Sequence, residues 1–472
     1  MDELSSPIDV RPARHVHPLV WILVVGLLVR ALLLVCFRNQ PLTIWDEREY
    51  NELAVNLASQ GQYVLYNQPN SSRPPLYPAV VAGIYKFCGL ENYQAVRTFQ
   101  MLTDLMTVAV LYLLGSEVYD RRIGLWAAGL YAVYPSAVGQ AVLLLSETLF
   151  TFWLTLICLM IVRCLQKNSI AHLAMAGALI GLGTLTRSIL WLFPPVLALY
   201  MLVAWRTSLG RRLAAVLAML AFFAITIAPW SIRCTRLEKT FVAIDVMGGR
   251  NLMLGNYEHT PLDRSWDAIS IEGEESWYRT LARETPGFRN LTQGQRDRLA
   301  MRHGLRFIVQ HPWLTLERDV VKFFNFWQLE RAMLAGMLHG NWGPLPRGVI
   351  FPLAALILGS YVLAMLSGLF GAASAPPDDW RVHGLLLVII AFFCGLHTLI
   401  FAHSRYHLPL MPLILIYSAS GLVNWRRIWQ RRRTWTFWLA VGMIAVLVGG
   451  WVWETVAMDG PRIAEAVRAL VH

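Results

Sequence analysis

The chain has 472 residues, of which 56% are apolar and only 15% charged. A soluble protein carries about 25% charged residues, so a cytosolic enzyme, a disordered chain and a disulfide-built secreted scaffold all fit poorly. The formal net charge of +11 raises the question of a nucleic-acid partner, and the placement of the cations answers it. Of the six cysteines, Cys36, Cys158, Cys164 and Cys394 lie in apolar runs, where a thiol packs as a small hydrophobe. Cys88 and Cys234 stand alone, without the spacing of a zinc or redox pair.

A membrane-spanning helix needs about 20 mostly apolar residues. Eleven stretches qualify, near 18–37, 98–115, 123–140, 148–165, 170–186, 188–205, 213–230, 348–370, 383–401, 407–423 and 435–453. The first is too long for a signal peptide and lacks a small-residue cleavage site, so it is read as a retained helix. The fifth and sixth form an apolar hairpin interrupted at Arg187, with Gly177 and Gly181 spaced for close helix packing. With the N-terminus in the cytosol, each inner segment is basic: Arg11 and Arg14, Arg121 and Arg122, Arg163 and Lys167, Arg206 with Arg211 and Arg212, Arg381, then Arg426, Arg427, Arg431, Arg432 and Arg433. This is the positive-inside pattern, with cations against an anionic inner leaflet rather than a nucleic-acid arm. Eleven spans place the C-terminus outside.

The expected organisation is therefore an all-α integral membrane protein in three parts. Residues 1–230 are an N-terminal module of seven spans with a first outer loop at 38–97. Residues 231–345 are an outer, mostly helical insert, whose helical spacing shows at Leu299, Met301, Leu305, Ile308 and Val309. Residues 346–472 are a C-terminal module of four spans. The first outer loop opens with Trp45-Asp46-Glu47-Arg48-Glu49-Tyr50 and continues as an amphipathic helix with Tyr50, Leu53, Ala54 and Leu57 on one face, ended by Gly61. A second apolar helix follows Arg73-Pro74-Pro75. Both are expected to lie in the membrane interface. Asp46 and Glu47 then stand at the outer membrane surface, where two readings fit: acids at a helix start, favoured by the dipole and as N-caps, or a general base for an acceptor hydroxyl. Arg30 and Asp104 each lie about 12 Å below the outer surface at 1.5 Å per residue, a depth that predicts a salt bridge locking spans one and two.

The order of motifs resembles a known family. It runs from the acidic pair after span one through Arg73-Pro74-Pro75-Leu76-Tyr77-Pro78 and Ser146-Glu147 to Ala228-Pro229-Trp230. Gly248-Gly249-Arg250-Asn251-Leu252-Met253-Leu254-Gly255-Asn256 and Ser404-Arg405-Tyr406-His407-Leu408-Pro409 complete it. This is similar to the GT-C glycosyltransferases, in the bacterial branch of the protein O-mannosyltransferases and the lipid A aminoarabinose transferase. The resemblance implies a GT-C fold with interfacial helices in the first outer loop. It implies a polyprenyl-phosphate sugar as donor, transfer with inversion on the outer face of a bacterial inner membrane, and a glycolipid, polysaccharide or protein hydroxyl as acceptor. Carried over, Asp46 is the base, Glu47 orients the acceptor or binds a divalent metal, and Glu147 is the second acid. Arg73 contacts the donor phosphate. Arg405, with Tyr406, fits either an interfacial anchor or a bidentate grip on the donor phosphate, and the Gly248–Asn256 stretch, with Asn251 and Asn256, fits either a turn entering the insert or a ligand loop. Ser72 stands where the lipid A branch often has an acid, which weakens a metal site borrowed from that branch. The soluble C-terminal domain of some members is not expected, since about twenty residues follow the last span. His403 and His407, spaced i, i+4, carry no metal assignment. A transporter or flippase would instead place its ionic groups at mid-depth in broken helices, and an O-antigen ligase or polymerase would use a diphosphate donor.

Overall fold

The computed structural model describes residues 17–38, 40–458 and 460. Arg11 and Arg14 of the basic N-terminal segment, and most of the segment after the last span, lie outside them. The chain folds as helices α1 (Pro18–Cys36), α2 (Trp45–Gln60), α3 (Leu76–Cys88), α4 (Tyr93–Val118), α5 (Arg121–Ala132), α6 (Pro135–Gln140) and α7 (Glu147–Lys167). Then come α8 (Ile170–Thr186), α9 (Phe193–Ala204), α10 (Leu209–Glu238), α11 (Gly248–Gly255), α12 (Trp277–Glu284), α13 (Gln293–Gln310) and α14 (Pro312–Phe326). The last are α15 (Arg331–Leu338), α16 (Arg347–Ser374), α17 (Trp380–Leu399), α18 (Met411–Val423), α19 (Trp425–Gln430) and α20 (Trp435–Trp453). One short antiparallel ladder, β1 (Val64–Leu65) with β2 (Gln68–Pro69), joins α2 to α3.

Among the described residues, eight helices are long and apolar enough to cross a membrane. Three of the eleven expected spans are shorter. The third is split: Tyr134 precedes Pro135, is extended at φ −68° and ψ 112°, and ends α5 before α6 begins, as the steric restriction on a residue before proline demands. The Ala132 carbonyl lies against Arg30, inside α1, while the Val142 carbonyl reaches Arg97 near the start of α4. Helices α5 and α6 with residues 141–146 thus climb jointly to the end of the bundle that carries α2. The fifth and sixth appear as the shorter apolar stretches Ile170–Thr186 and Ser188–Ala204, separated at Arg187.

Glycine sets the closest helix contacts. A Cβ at Gly177 would meet the Met219 carbonyl at 2.2 Å and one at Gly181 would meet Thr226 at 2.6 Å, so α8 lies directly on α10. Gly371 and Gly421 do the same between α16 and α18. Polar groups in the interior must be paired. Arg30 is fully buried. Its Nε donates to Asp104 Oδ2 at 3.0 Å, and Nη1 donates to the Gly26 and Ala132 carbonyls. Tyr131 completes the site by donating to Asp104 Oδ1 at 2.6 Å.

Removing one member leaves the other as an uncompensated buried charge, which costs about 3–5 kcal/mol. Arg30→Met is therefore expected to lower the melting temperature of the detergent-solubilised protein sharply. Adding Asp104→Leu to it should restore most of the loss, and equal losses in the single and double variants would refute this role.

Candidate active site

The end of the bundle that carries α2 is assembled by one buried cation and one amide. Arg97, on α4, donates to the carbonyls of Phe37, Gln40 and Val142, and Gln100 donates to those of Ala141 and Leu143. They fix the first loop against residues 141–146. Glu47 finishes the joint. Its Oε2 accepts from the amides of Thr43 and Ile44, each at 3.0 Å, and its Oε1 from that of Leu144 at 2.9 Å. Burial pushes the Glu47 carboxyl up, against the pull of these three amides.

Asp46, one residue earlier, points the other way into a chain of alternating charges. Arg73 Nη2 lies 2.6 Å from Asp46 Oδ1, and Arg405 Nη2 lies 2.6 Å from Asp46 Oδ2. Arg73 is also held by Glu49, whose Oε2 accepts from its Nε at 2.7 Å. On the far side, Glu147 Oε1 is 3.1 Å from Arg405 Nε and 2.7 Å from Arg187 Nη1. The run is Glu49–Arg73–Asp46–Arg405–Glu147–Arg187. The contacts of the buried Glu147 are ion pairs in distance but poorly aligned as hydrogen bonds, and Arg405 Nε likewise makes no well-directed one. Tyr406 covers this end. Its ring stacks on His397 at 4.4 Å and faces the guanidiniums of Arg405 and Arg187 at 5.9 and 5.8 Å.

The backbone explains the placement. Asn70 turns the chain before Arg73 by accepting from the Ser72 and Arg73 amides, and Tyr63 donates to the Arg73 and Pro74 carbonyls. Arg405 sits on a short 3-10 turn, Ser404–Tyr406. Ser404 is pinned by the Ala332 amide. His407 is pinned by the Phe326 carbonyl at 2.7 Å and stacked between Trp327 and Tyr361, a structural place for the second histidine of the pair.

Burial alone would raise the Asp46 carboxyl, but the Arg405 and Arg73 guanidiniums outweigh it and hold the group well below the usual carboxylate range. Nearby, Asp245 accepts from the Met247 amide at 3.2 Å, and burial pushes its carboxyl up to about 6. The rim thus holds two carboxyls of opposite character.

Of the residues singled out in the sequence, Asp46, Arg73, Glu147, Arg405 and Tyr406 come together. Glu47 is occupied by backbone amides away from the cluster. The glycine-rich stretch expected as a ligand loop is helix α11. A Cβ at Gly249 would meet the Asp297 carbonyl at 1.9 Å and one at Gly255 the Ile400 carbonyl at 1.6 Å, so these glycines serve close packing. The Gly249 and Arg250 amides are taken by the Asp297 carboxylate. Asn256 is buried and spent on the Leu252 and Leu399 carbonyls and Lys322. Asn251, on the same helix, is half-buried.

Sequence reasoning passed over three charged residues here. Glu49 stands three residues after Asp46, on the same helix face. Arg187 was a lone cation between two apolar stretches, which is itself a functional flag. Arg250, half-buried against the Trp277 ring at 5.3 Å, feels the charge of both Arg73 and Glu49. Its Nε has no hydrogen-bond partner. Among the described residues, no group of three His, Cys, Asp or Glu side chains is placed to hold a metal ion.

Residues 72–232 match the family model of dolichyl-phosphate-mannose-protein mannosyltransferases. No curated protein matches the sequence significantly. The structure is similar to the oligosaccharyltransferase of Archaeoglobus fulgidus. The apo form has 14% identity and a TM-score of 0.52, covering 93% of this chain and 55% of that one. The AglB complex with an inhibitory peptide and a dolichol-phosphate has 14% identity and a TM-score of 0.51, covering 92% and 55%. The chain thus spans just over half the length of these proteins. ArnT from Cupriavidus metallidurans, bound to undecaprenyl phosphate, aligns at 15% identity over 85% of this chain and 76% of that one, with a TM-score of 0.40. The chain thus shares the fold of these oligosaccharyltransferases, and the stretch that matches the mannosyltransferase family model lies within it.

The three amides on Glu47 each lose a charged acceptor in Glu47→Ala. At about 1.5–3 kcal/mol for a bond to a charged group, discounted because two of the three amides are only partly buried, the expected loss is about 2–4 kcal/mol. Thermal unfolding in detergent measures it, and an unchanged melting temperature would contradict the joint described above.

Proposed function

We propose that the charge chain transfers a sugar from a polyprenyl-phosphate donor to an acceptor hydroxyl, with inversion, at the outer face of a bacterial inner membrane. The observation that carries this reading is Asp46 held between Arg73 and Arg405. A carboxylate between two guanidiniums is a poor base, because its negative charge is already neutralised. A donor phosphate competes for the same forks, since guanidinium pairs with phosphate as it does with carboxylate. Once the phosphate draws Arg405 and Arg73 toward itself, Asp46 loses its cations and its proton affinity rises. The base is thereby released by the substrate it acts on.

The bonds then balance. The bond from the anomeric carbon to the phosphate oxygen breaks, and the electron pair leaves with the polyprenyl phosphate, whose growing charge the arginines stabilise. The acceptor oxygen bonds to the anomeric carbon from the opposite face while Asp46 takes its proton. Glu147 keeps Arg405 and Arg187 in register. The dolichol-phosphate of the AglB complex and the donor in the name of the matching family model support a lipid-phosphate donor. Orientation is supported by the short loops at the opposite end, which carry Arg121, Arg122, Arg206, Arg211, Arg212, Arg381 and the run Arg426 to Arg433.

The test is transfer from radiolabelled polyprenyl-phosphate sugars in reconstituted membranes. Asp46→Asn should lower kcat by about 10²–10⁴-fold, and wild-type transfer would remove Asp46 as base. Arg405→Ala should raise the donor KM roughly ten- to hundred-fold, as for a lost charged hydrogen bond, and an unchanged donor dependence would count against its phosphate role.

The pH profile separates the two carboxyls. Asp46 is depressed, so in the free enzyme it stays ionised until the pH falls below the usual carboxylate range. The profile of kcat/KM, which reports the free enzyme, should be flat on its acid side from neutrality down to about pH 5. The acid limb of kcat should lie higher, because the bound phosphate draws the arginines away. An acid limb in kcat/KM centred near about 6 would transfer the role of base to Asp245.

A further inference from the structure

Helix α14 buries its basic and amide side chains and exposes most of its large apolar ones, although Val321 and Phe326 are buried and Glu317 is exposed at the edge of the apolar stripe. Its inward face carries Arg318, Lys322 and Asn325, all buried. Arg318 donates to the Tyr257 and Thr260 carbonyls, Lys322 to Asn256 and Asp319, and Asn325 to the Asp263 carbonyl. Its outward face carries Trp313, Leu316, Val320 and Phe323, spaced for one side of a helix and exposed. A helix in water turns its apolar stripe inward and its charges outward, so this one is built for an apolar surround.

The patch extends onto α13, where Leu305 is exposed, and Val309 at the hairpin is 78% exposed, next to Trp313 at 81%. Exposed Arg298, Arg302 and Arg306 flank it one turn apart. Six large apolar side chains exposed in one stripe, with arginines along the edge, have the composition of a helix lying in a membrane interface. At its other end the stripe meets the bundle. Phe324, beside Phe323, packs on Gly450 and lies 6.3 Å ring to ring from Trp453, both on α20, whose own outer face exposes Val446 and Val452. The patch therefore continues the apolar surface of a membrane-spanning helix.

We infer that the α13–α14 hairpin is seated in the surface of the same bilayer the bundle spans, with Val309, Trp313, Leu316 and Val320 among the acyl chains and Arg298, Arg302 and Arg306 at the headgroups. This part of the outer, mostly helical insert is then a monotopic element. Through Lys322–Asn256 and Arg318–Tyr257 it fixes the segment after α11 relative to the lipid surface.

Photo-crosslinking tests this on the full chain in liposomes of phosphatidylethanolamine and phosphatidylglycerol. Benzoylphenylalanine is placed at Trp313 or Leu316, at Val446 as a lipid-facing reference, and at the exposed Glu274 as a water-facing one, with adducts identified by mass. Lipid adducts at 313 and 316 as at 446, and their loss at 274, are expected. Lipid adducts at 446 but not at 313 or 316 would overturn the inference. So would adducts at 313 and 316 that join a second copy of the chain, or this chain's own residues 459–472, in place of lipid.

Discussion

The site depends on Asp46 being shared by two arginines. Charges removed from water are tolerated when each has an opposite neighbour, and the six groups from Glu49 to Arg187 satisfy this by alternation. The arrangement links four separate parts of the chain: α2, the turn before α3, the start of α7 and the turn before α18. With Arg187 it also reaches the junction of α8 and α9. Repositioning Arg73 would leave Glu49 without its cation, and repositioning Glu147 would leave Arg187 without its carboxylate, whereas Asp46 and Arg405 each have neighbours that keep a second partner.

The rest of the fold prepares these positions without touching them. Arg97, Gln100 and Glu47 satisfy the irregular backbone at 37–44 and 141–144, which helix geometry alone would leave unpaired. Ser71 donates to Glu238, at the end of α10, and the Val246 amide donates to the Ser71 carbonyl, so the first loop is tied to the segment before α11. Glu238 in turn accepts from the Gly294 amide at the start of α13. A continuous hydrogen-bonded path therefore runs from the turn carrying Arg73 to the hairpin inferred to rest on the lipid.

Sequence made the membrane class, the run of apolar segments and most of the site legible. Hydropathy reports directly which segments are apolar enough to cross a membrane, and acids or arginines at the ends of apolar runs are conspicuous. It failed where tertiary packing decides. Pro135 broke an apolar run that composition alone read as one span. The amides and asparagines of Gly248–Asn256 fit a turn or a ligand loop equally, and only the fold shows Gly249 and Gly255 packed against the Asp297 and Ile400 carbonyls. Glu47 and Asp46 are adjacent, and only the α2 geometry sends one to backbone amides and the other to arginines. Arg187 and Glu49 were visible but lacked partners until the fold supplied Glu147 and Arg73. The inverted faces of α14 were hidden because a sequence pattern shows amphipathicity but not which side faces in.

The central claim is that phosphate and the Asp46 carboxylate compete for the same guanidiniums. Equilibrium binding of undecaprenyl phosphate to the reconstituted protein tests it without any transfer chemistry. If the two compete, Asp46→Asn removes the carboxylate that Arg73 and Arg405 share, leaving them only Glu49 and Glu147, and should bind the lipid phosphate more tightly than the wild type. Weaker binding by Asp46→Asn would contradict the account, because it would mean that Asp46 holds the arginines ready for phosphate instead of competing with it.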